Sequence, residues 1–367
     1  MKKRQIALFL AIVLLAAAVP LISLVARAET VDGTLGENVT WSLDRKTGAF
    51  VLRGTGLVQG EPVPDYIISR EDLPLFSFPW DAYREEIRTL TVEQGVTGIC
   101  IDAFFGCSRL RSVVLPQSVA LISGTAFGAC PALQEFIVPN PACHFKLTAA
   151  DFANQASTVI YGFAGSTAQT FASQNGFRFS ALPSDYGNPN PFIDVFPGTF
   201  CHDAVLWAVG RAPQITNGTS QIRFSPSNGC MREQVVTFLW RAANCPEPQS
   251  SDSPFTDVAA GNYYTKAILW ANEKGIVTGV SPTLFGLKRP CTRAQVVTLL
   301  WRAAGSPKPK TTENPFTDVG GGYYHDAVLW AVENGITKGT SATSFSPGKT
   351  CTRAQVVTFL QRAAQLR

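Results

Sequence analysis

The chain has 367 residues, 46% of them hydrophobic, with 31 Lys and Arg, 27 Asp and Glu and three His. This length allows more than one domain. The first 28 residues hold four of the basic residues and no acidic residue. Residues 29–367 are therefore neutral overall, which excludes the strong positive charge typical of nucleic-acid-binding domains.

Residues 1–28 are predicted to be an export signal peptide. Lys2, Lys3 and Arg4 give a basic start, an apolar run extends from Ile6 to Val25, and Ala26-Arg27-Ala28 matches a small-x-small cleavage pattern. The alternative is an uncleaved membrane anchor, because the run is nearly long enough to span a bilayer. Pro20 and the alanines favour cleavage after Ala28, so we predict an exported protein with no membrane segment after cleavage.

Residues 29–86 are predicted to form a β-hairpin and an N-terminal cap. Alternating apolar residues at 41–43 and 50–52 flank the turn Asp44-Arg45-Lys46-Thr47-Gly48, a pattern typical of a hairpin.

A short repeat begins near Ile87. Residues 89–110 align without gaps on residues 112–133, at an offset of 23 residues. A period of 20–29 residues is typical of leucine-rich repeats, in which each turn contributes a short strand. We expect Phe104 and Phe127 to stack in one interior column, and we assign residues 87–183 to these repeats and a capping segment.

The residues of this half resemble BspA-type leucine-rich repeats of bacterial surface proteins. The resemblance rests on Gly54-Thr55-Gly56, Pro79-Trp80, Ala103-Phe104-Phe105-Gly106-Cys107 and Tyr161-Gly162-Phe163-Ala164-Gly165-Ser166. It implies a β-rich solenoid that binds a host or matrix protein. A purely structural spacer is the alternative, although repeat surfaces usually serve binding.

A segment of about 60 residues is repeated three times after a linker at 184–190. We place the repeats at 191–249, 250–310 and 311–367. Each contains Phe-x-Asp-Val, an apolar stretch with a tryptophan, a glycine loop, and a second apolar stretch that starts at an arginine. The spacing predicts a helix, a loop and a second helix in each repeat.

The arginine position carries the chemical argument. Thr292 and Gln295 fit a capping box, as do Thr352 and Gln355, which places Arg293 and Arg353 at the first helical residue. A positive charge there opposes the helix dipole. Either the helix start and the guanidinium form an anion site, or the arginine pairs with the Phe-x-Asp-Val aspartate, and the two can coexist.

These repeats resemble S-layer homology (SLH) domains. The resemblance implies an all-α, pseudo-threefold bundle of three repeats that binds anionic, often pyruvylated, secondary cell-wall polysaccharide in grooves between repeats. The candidate polymer-binding residues that it implies are Asp194, Trp207, Gly218, Arg232, Asp257, Trp270, Gly279, Arg293, Asp318, Trp330, Gly339 and Arg353. The net-positive half, with 17 basic and 11 acidic residues, suits such a polymer, although a randomly uneven surface gives the same count.

The first repeat departs from this pattern. Met231 replaces the capping threonine, and Glu233 replaces alanine. Methionine supplies no capping oxygen. We therefore expect the groove that uses Arg232 to be the weakest, and polymer binding to fall most in Arg293→Ala and Arg353→Ala.

The nine cysteines include Cys230, Cys291 and Cys351 at one repeat position. Equivalent positions in stacked units favour small buried hydrophobes over disulfides. No CxxC or His/Cys cluster has metal spacing, so we predict no cofactor and no metal. A thiol-rich exported protein suggests an anaerobic bacterium, and the expected wall anchor suggests a Gram-positive one.

We predict a protein that is not an enzyme. His202 and His325 align within the repeats, which favours solvated helix-start residues over a general base, and Gly-x-Ser-x-Gly, P-loop and His-Glu-x-x-His motifs are absent from the sequence. The prediction is an α+β multidomain surface protein, anchored to the wall by three repeats and displaying an adhesive leucine-rich-repeat solenoid. The alternatives are a structural envelope component and a wall-bound polysaccharide hydrolase.

Overall fold

The computed structural model describes residues 29–62 and 76–366; the predicted signal peptide lies outside the described residues. The chain divides into two compact units. Of the described residues, the first unit contains those up to Ile137, Cys143–Thr158 and Asn175–Phe177. The second contains Val138–Ala142, Val159–Gln174 and the described residues from Arg178 onward.

The first unit is β-rich and is built from two main sheets and a small hairpin. Its strands are β1 (Thr30–Leu35), β2 (Val39–Asp44), β3 (Ala49–Gly54), β4 (Gly56–Val58), β5 (Glu61–Pro62), β6 (Phe76–Ser77), β7 (Thr89–Val92), β8 (Val96–Ile99), β9 (Ser112–Val114), β10 (Leu121–Ser123), β11 (Glu135–Ile137) and β12 (His144–Lys146). One sheet has the order β1-β2-β3-β7-β9-β11, the second the order β12-β10-β8-β4, and β5 pairs with β6.

The predicted hairpin is confirmed: β2 and β3 are antiparallel, with Trp41 opposite Leu52 and Leu43 opposite Phe50. The 23-residue period is also confirmed, because Thr89 of β7 lies opposite Ser112 of β9, and Ser112 opposite Glu135 of β11. The rings of Phe104 and Phe127 stack with centroids 5.7 Å apart, as the alignment predicts. Each turn of the solenoid thus places the apolar side chain of the equivalent position in one column of the core.

The second unit contains all the α-helices of the described residues and two parallel strands, β13 (Val159–Gly162) and β14 (Arg178–Ala181). The helices are α1 (Thr167–Gln174), α2 (His202–Val209), α3 (Arg232–Ala242), α4 (Thr265–Glu273), α5 (Arg293–Ala303), α6 (His325–Glu333) and α7 (Arg353–Ala364). The predicted helix, loop and helix of each repeat are therefore α2 and α3, α4 and α5, and α6 and α7.

The three second helices, α3, α5 and α7, each contact the other two. The first helix of a repeat packs on the second helix of the preceding repeat: α4 on α3, α6 on α5, and α2 on α7. A closed cycle of backbone hydrogen bonds precedes these helices. Cys291 N donates to Cys230 O, Cys351 N to Cys291 O, and Cys230 N to Cys351 O, at 2.9, 2.8 and 3.0 Å.

These cysteines are fully buried, as expected for small hydrophobes, and all nine cysteines are free. The last contact of the cycle joins the third repeat to the first, so no repeat has an open end within the described residues. Each repeat buries its apolar faces against the other two, which a single helix pair could not do.

Candidate functional site

The three Phe-x-Asp-Val aspartates have the same structural role, because each holds the loop of its own repeat. Asp194 accepts hydrogen bonds from the backbone N–H groups of Phe224 and Ser225, at 2.9 and 2.8 Å. Asp257 accepts from residues 285, 286 and 287, and Asp318 from residues 345 and 346 and the Ser344 hydroxyl. A carboxylate with two or three such donors fixes a loop that no helix or strand supports.

These hydrogen bonds also stabilise the charged form of the carboxylates. Desolvation acts to raise the pKa of Asp257, but the loop N–H groups outweigh it and the pKa falls below its usual value. The Ser344 hydroxyl, followed by the N–H groups of residues 345 and 346, lowers the pKa of Asp318. Both aspartates are therefore anions at neutral pH.

The loop glycines are required by close packing. A Cβ on Gly279 would lie 2.2 Å from the carbonyl oxygen of Ser281 and 2.8 Å from the ring of Phe255. Gly218 and Gly339 have φ near +80°, and the nearest neighbour of an added Cβ would lie 2.4 and 2.6 Å away. The three predicted glycines thus lie in the same loops that the aspartates hold.

The three motif arginines are buried and reach into the next repeat. Arg232, Arg293 and Arg353 are 9, 2 and 3% exposed. Arg293 Nε donates to Phe345 O at 2.9 Å and its NH2 group to the Thr337 hydroxyl at 3.3 Å. Arg353 makes the matching bonds to Phe224 O and Thr216, and Arg232 to Phe285 O and Thr278 O.

Each guanidinium also lies 4.8 Å from the centroid of the phenylalanine ring whose carbonyl it binds. Burial lowers the pKa of all three arginines. Of the two readings of these arginines, the pairing with the Phe-x-Asp-Val aspartate is not what the structure shows. Among the described residues these arginines and aspartates form no ion pair, because the guanidinium is satisfied by carbonyl and hydroxyl oxygens and aromatic rings. The helix-start arginine thus joins neighbouring repeats.

The tryptophans lie apart from these loops. Trp270 and Trp330, 7 and 5% exposed, line a cavity of about 600 Å³ at the C-terminal ends of α3, α5 and α7. Trp207, at the matching position of the first repeat, is half-buried under the Arg211 guanidinium and does not line it. The structure brings the aspartates, glycines and arginines together and leaves the tryptophans elsewhere.

A second concave surface lies where the first two repeats meet. A cavity of about 500 Å³ is lined by Trp240 at the end of α3, by Tyr263 and Lys266 at the start of α4, and by Ser250 and Asn262 among others. We call it the junction groove. The Trp240 indole is held by a hydrogen bond to Pro246 O, at 2.8 Å, and the Tyr263 ring is 55% exposed. The Glu247 carboxylate also lines this groove. An aromatic face beside hydroxyl, amide, ammonium and carboxylate groups can bind a sugar ring and its hydroxyl groups.

Sequence reasoning missed these residues, although the repeat alignment contained the signal. An exposed aromatic residue occupies one position in all three repeats: Phe200, Tyr263 and Tyr323 are 66, 55 and 61% exposed. Trp240 aligns with Trp301 and with Gln361. The junction of the second and third repeats therefore has an equivalent pair, Trp301 and Tyr323. The junction of the third and first repeats has Gln361 and Phe200 at these positions.

The departures in the first repeat have a local explanation. Met231 accepts no cap hydrogen bond, although Gln234 still binds the Met231 N–H at 3.1 Å, whereas Thr292 and Thr352 each accept one from the backbone. Glu233 is 7% exposed, and its carboxylate accepts from Lys288 N at 3.0 Å. The glutamate adds a contact to the second repeat that alanine could not make.

The prediction of a solvated His202 is wrong. Its side chain is 13% exposed, and its ring lies between Asp185, at 2.7 Å, and Asp203, at 2.9 Å. Desolvation acts to lower the pKa of His202, but the two carboxylates outweigh it and raise the pKa above its usual value. Asp185 belongs to the predicted linker, which the histidine ties to α2.

Within the described ranges, the structure contains no group of three or more His, Cys, Asp or Glu side chains placed to hold a metal ion. No helix among these residues is both long and apolar enough to span a membrane.

Two protein-family models match three stretches of the chain. The S-layer homology domain model matches residues 254–297 and 315–357, and the BspA type leucine rich repeat region model matches residues 82–160. Residues 191–249, the first of the three repeats, lie outside both matches.

Curated relatives match short parts of their own lengths. An endoglucanase of Bacillus sp. (strain KSM-635) is 31% identical over 33% of this chain and 13% of its own length. A cell surface protein of Thermoanaerobacter kivui is 29% identical over 31% of this chain and 16% of its own length. An S-layer protein of Bacillus thuringiensis subsp. finitimus is 29% identical over 30% of this chain and 14% of its own length.

Among solved structures, a leucine-rich repeat protein from Eubacterium ventriosum matches 38% of this chain and 45% of its own, at 14% identity and a TM-score of 0.25. The family matches agree with the β-rich first unit and the repeated helices of the second. The chain therefore contains two regions that match the S-layer homology domain and one region that matches the BspA-type leucine-rich repeat.

Proposed function

We propose that this protein is a non-catalytic bacterial surface protein, bound through its three helical repeats to an anionic secondary cell-wall polysaccharide. The observation that carries the proposal is the match of the second and third repeats to the S-layer homology domain. The surface and S-layer proteins among its relatives support a cell-wall or cell-surface location. A Gram-positive, anaerobic source and a pyruvylated polymer are further parts of the proposal.

We further infer that the first repeat is a third domain of the same kind and that the three form a pseudo-threefold bundle. The cyclic contacts of α3, α5 and α7 support this, as do the arginines that each join one repeat to the next. In this arrangement the Asp, Gly and Arg candidates act on the polymer indirectly, by holding the loops and junctions in shape.

Direct contact is assigned to the exposed aromatic residues. The polymer would pack a sugar face on Tyr263 and Trp240 and accept hydrogen bonds from Lys266 and the nearby polar groups. Lys266 Nζ binds Glu247 at 2.7 Å, but both side chains are more than half exposed, so this pair can open at little cost. Tyr323 and Trp301 give the second site, and simultaneous binding at both would add avidity.

The leucine-rich-repeat unit is proposed to bind a host or matrix protein. The S-layer relatives favour one alternative, a structural component that assembles with its neighbours in the envelope. The endoglucanase relative gives less support to a hydrolase, because the match covers only 13% of that protein.

Pull-down of the full chain by purified cell wall, before and after chemical removal of the secondary polysaccharide, tests the proposal. Binding should disappear with the polysaccharide. Trp240→Ala combined with Tyr263→Ala should weaken binding, whereas the matched pair Gln361→Ala and Phe200→Ala should not. Equal binding to stripped peptidoglycan, or none to either wall, would overturn the anchor and favour assembly.

A further inference from the structure

No contact described so far uses the free edge of the sheet that begins with β1. Among the described residues, β1 (Thr30–Leu35) pairs with β2 alone. In an antiparallel pair, alternate residues point their N–H and C=O groups away from the partner strand. The outer side of β1 therefore carries a row of backbone groups without strand partners. We call this side of Thr30–Leu35 the β1 edge.

The β1 edge lacks the features that usually prevent a further strand from pairing. Natural edge strands are often kept short or carry lysine or proline. β4 and β12, the edges of the second sheet, have three residues each, and β12 carries Lys146. β1 has six residues and contains neither lysine nor proline. Among the described strands of the first unit, it is the edge best able to accept an added strand.

The charge around the β1 edge indicates which strand it can accept. Residues 29–43 contain three acidic side chains, Glu29, Asp32 and Glu37, all exposed, and no basic side chain. The next cation, Arg45, is held by a carboxylate of the same unit through two hydrogen bonds of 2.8 Å. A second copy of this edge would bring like charges together, which disfavours pairing. Charge complementarity instead favours a strand with lysine or arginine.

A hydrogen-bond donor without an acceptor lies beside the same edge. Trp41 is opposite Gly33 in the strand register, and its side chain is 5% exposed. Among the described residues, Trp41 Nε1 is the one side-chain nitrogen or oxygen that is both sealed from solvent and without a partner. Nε1 is also the atom nearest to the position that a Cβ on Gly33 would occupy, at 2.8 Å. Because a buried indole N–H usually has an acceptor, this donor indicates an acceptor supplied by a ligand.

Gly33 gives an added strand access to this donor. Residues opposite each other in an antiparallel pair point to the same face, so the residue opposite Gly33 would point toward Trp41. Gly33 has no side chain to block that path, and a small movement of its backbone would uncover Nε1. On the other face, the residue opposite Asp32 would lie within reach of its carboxylate. The two faces thus select an acceptor and a cation at neighbouring positions of the bound strand.

We propose that the β1 edge binds an extended, basic peptide segment of a partner protein by antiparallel strand addition, with a cationic side chain at Asp32 and a hydrogen-bond acceptor at Trp41 Nε1. The proposal rests on the proposed display function of the leucine-rich-repeat unit and names the kind of partner. Backbone hydrogen bonds would supply affinity, and the two selected side chains would supply specificity.

The test uses the full chain with ¹⁵N-labelled tryptophan and the capped peptide Val-Lys-Ser-Lys-Val-Lys as the probe. Of the seven indole N–H signals, the one lost in Trp41→Phe belongs to Trp41. The lysine peptide should shift this signal, and Val-Glu-Ser-Glu-Val-Glu at the same concentration should not. Replacing the serine of the lysine peptide with alanine should reduce the shift, because alanine offers no side-chain acceptor.

Variants of the chain and of the peptide backbone separate strand addition from attraction by charge alone. Asp32→Asn should weaken binding of the lysine peptide about twofold to fivefold, the effect of losing one exposed ion pair. The matched control, Glu135→Gln, lies on the same face of the sheet but five strands away and should leave binding unchanged. N-methylation of every second peptide residue should abolish binding for one of the two alternating sets and spare it for the other.

The proposal is overturned if the lysine peptide leaves the Trp41 signal in place, if the glutamate peptide shifts it equally, or if both N-methylated peptides bind. It is also overturned if the signal moves with protein concentration alone, since a second copy would then occupy the β1 edge. Wall pull-down separates this proposal from the anchor. A chain that binds cell wall but none of the peptides would keep the anchor and reject strand addition.

Discussion

Replacing Arg293 with methionine should destabilise the second unit strongly. Methionine keeps the apolar stem but removes the guanidinium, which is 2% exposed and binds Phe345 O and the Thr337 hydroxyl. A hydrogen bond from a charged donor contributes about 1.5–3 kcal/mol, and a buried carbonyl left without a partner costs about 1–3 kcal/mol. The variant also avoids the cost of removing a guanidinium from water, which offsets part of this loss. We expect a net loss of about 3 kcal/mol.

Urea unfolding followed by tryptophan fluorescence measures this loss, because five of the seven tryptophans lie in the second unit. Lys338→Met is the matched control. It removes an exposed charge from the same repeat that Arg293 contacts, and it should change the free energy of unfolding by no more than about 0.5 kcal/mol. A variant Arg293→Met that lost less than about 1 kcal/mol would refute the argument, since desolvation would then cancel the bonds that join the repeats.

The loops and buried groups give three further predictions. Gly279→Ala should cost more stability than Gly348→Ala in thermal unfolding. A Cβ at Gly279 meets a carbonyl oxygen at 2.2 Å, whereas a Cβ at Gly348 has no neighbouring atom within 4 Å and Gly348 does not have a positive φ; equal losses would contradict the packing argument. Folding lowers the pKa of Asp257, so this carboxylate stabilises the fold above its unfolded pKa near 3.8, and the stabilisation is lost as pH falls through the folded pKa. Asp257→Asn should therefore reduce the loss of stability on acidification. The same loss in the variant as in the parent chain would contradict this role of Asp257. Folding raises the pKa of His202, so its contribution to stability is complete below about pH 6.5 and is lost as pH rises through the folded pKa. Asp185→Asn should reduce this pH dependence of stability. If the pH dependence were unchanged in the variant, it would have to come from another group.

The repeats could be located from the sequence because equivalent residues of each repeat occupy equivalent positions in the fold. The 23-residue offset became the strand register, and Thr292 with Gln295 became a capping box. In both cases neighbours along the chain, or equivalent positions of identical units, determine the contact, so the sequence contains the information directly.

The sequence could not place the partner of Arg293. Helix capping fixes the residue at the start of α5, but the direction of its side chain depends on the next repeat, whose Phe345 carbonyl lies 52 positions away along the chain. The same applies to Tyr263, which lines the junction groove only because α4 packs on α3 of the preceding repeat. Such contacts are set by how the units assemble, which the pattern of one unit does not reveal.

Glu233, where the first repeat differs from the other two, tests whether such contacts depend on how the repeats assemble. Glu233 Oε2 accepts from Lys288 N, whereas at the other two junctions a backbone bond closes the gap, from Ala294 N to Pro347 O and from Ala354 N to Pro226 O. Among the described residues Glu233 N forms no such bond, so Glu233→Ala removes the side-chain contact that this junction has instead. We expect a loss of about 1–2 kcal/mol in urea unfolding, the cost of leaving the Lys288 N–H without its acceptor.

Replacing the exposed Glu313 with alanine is the control and should leave stability within about 0.5 kcal/mol. If Glu233→Ala were as stable as the parent chain, the buried carboxylate would be dispensable for joining the repeats. The divergence of the first repeat would then have to be explained by ligand binding. A measured loss would instead mean that Glu233 compensates within the junction, so that the first repeat can lack the family's capping threonine and still close the cycle with the other two.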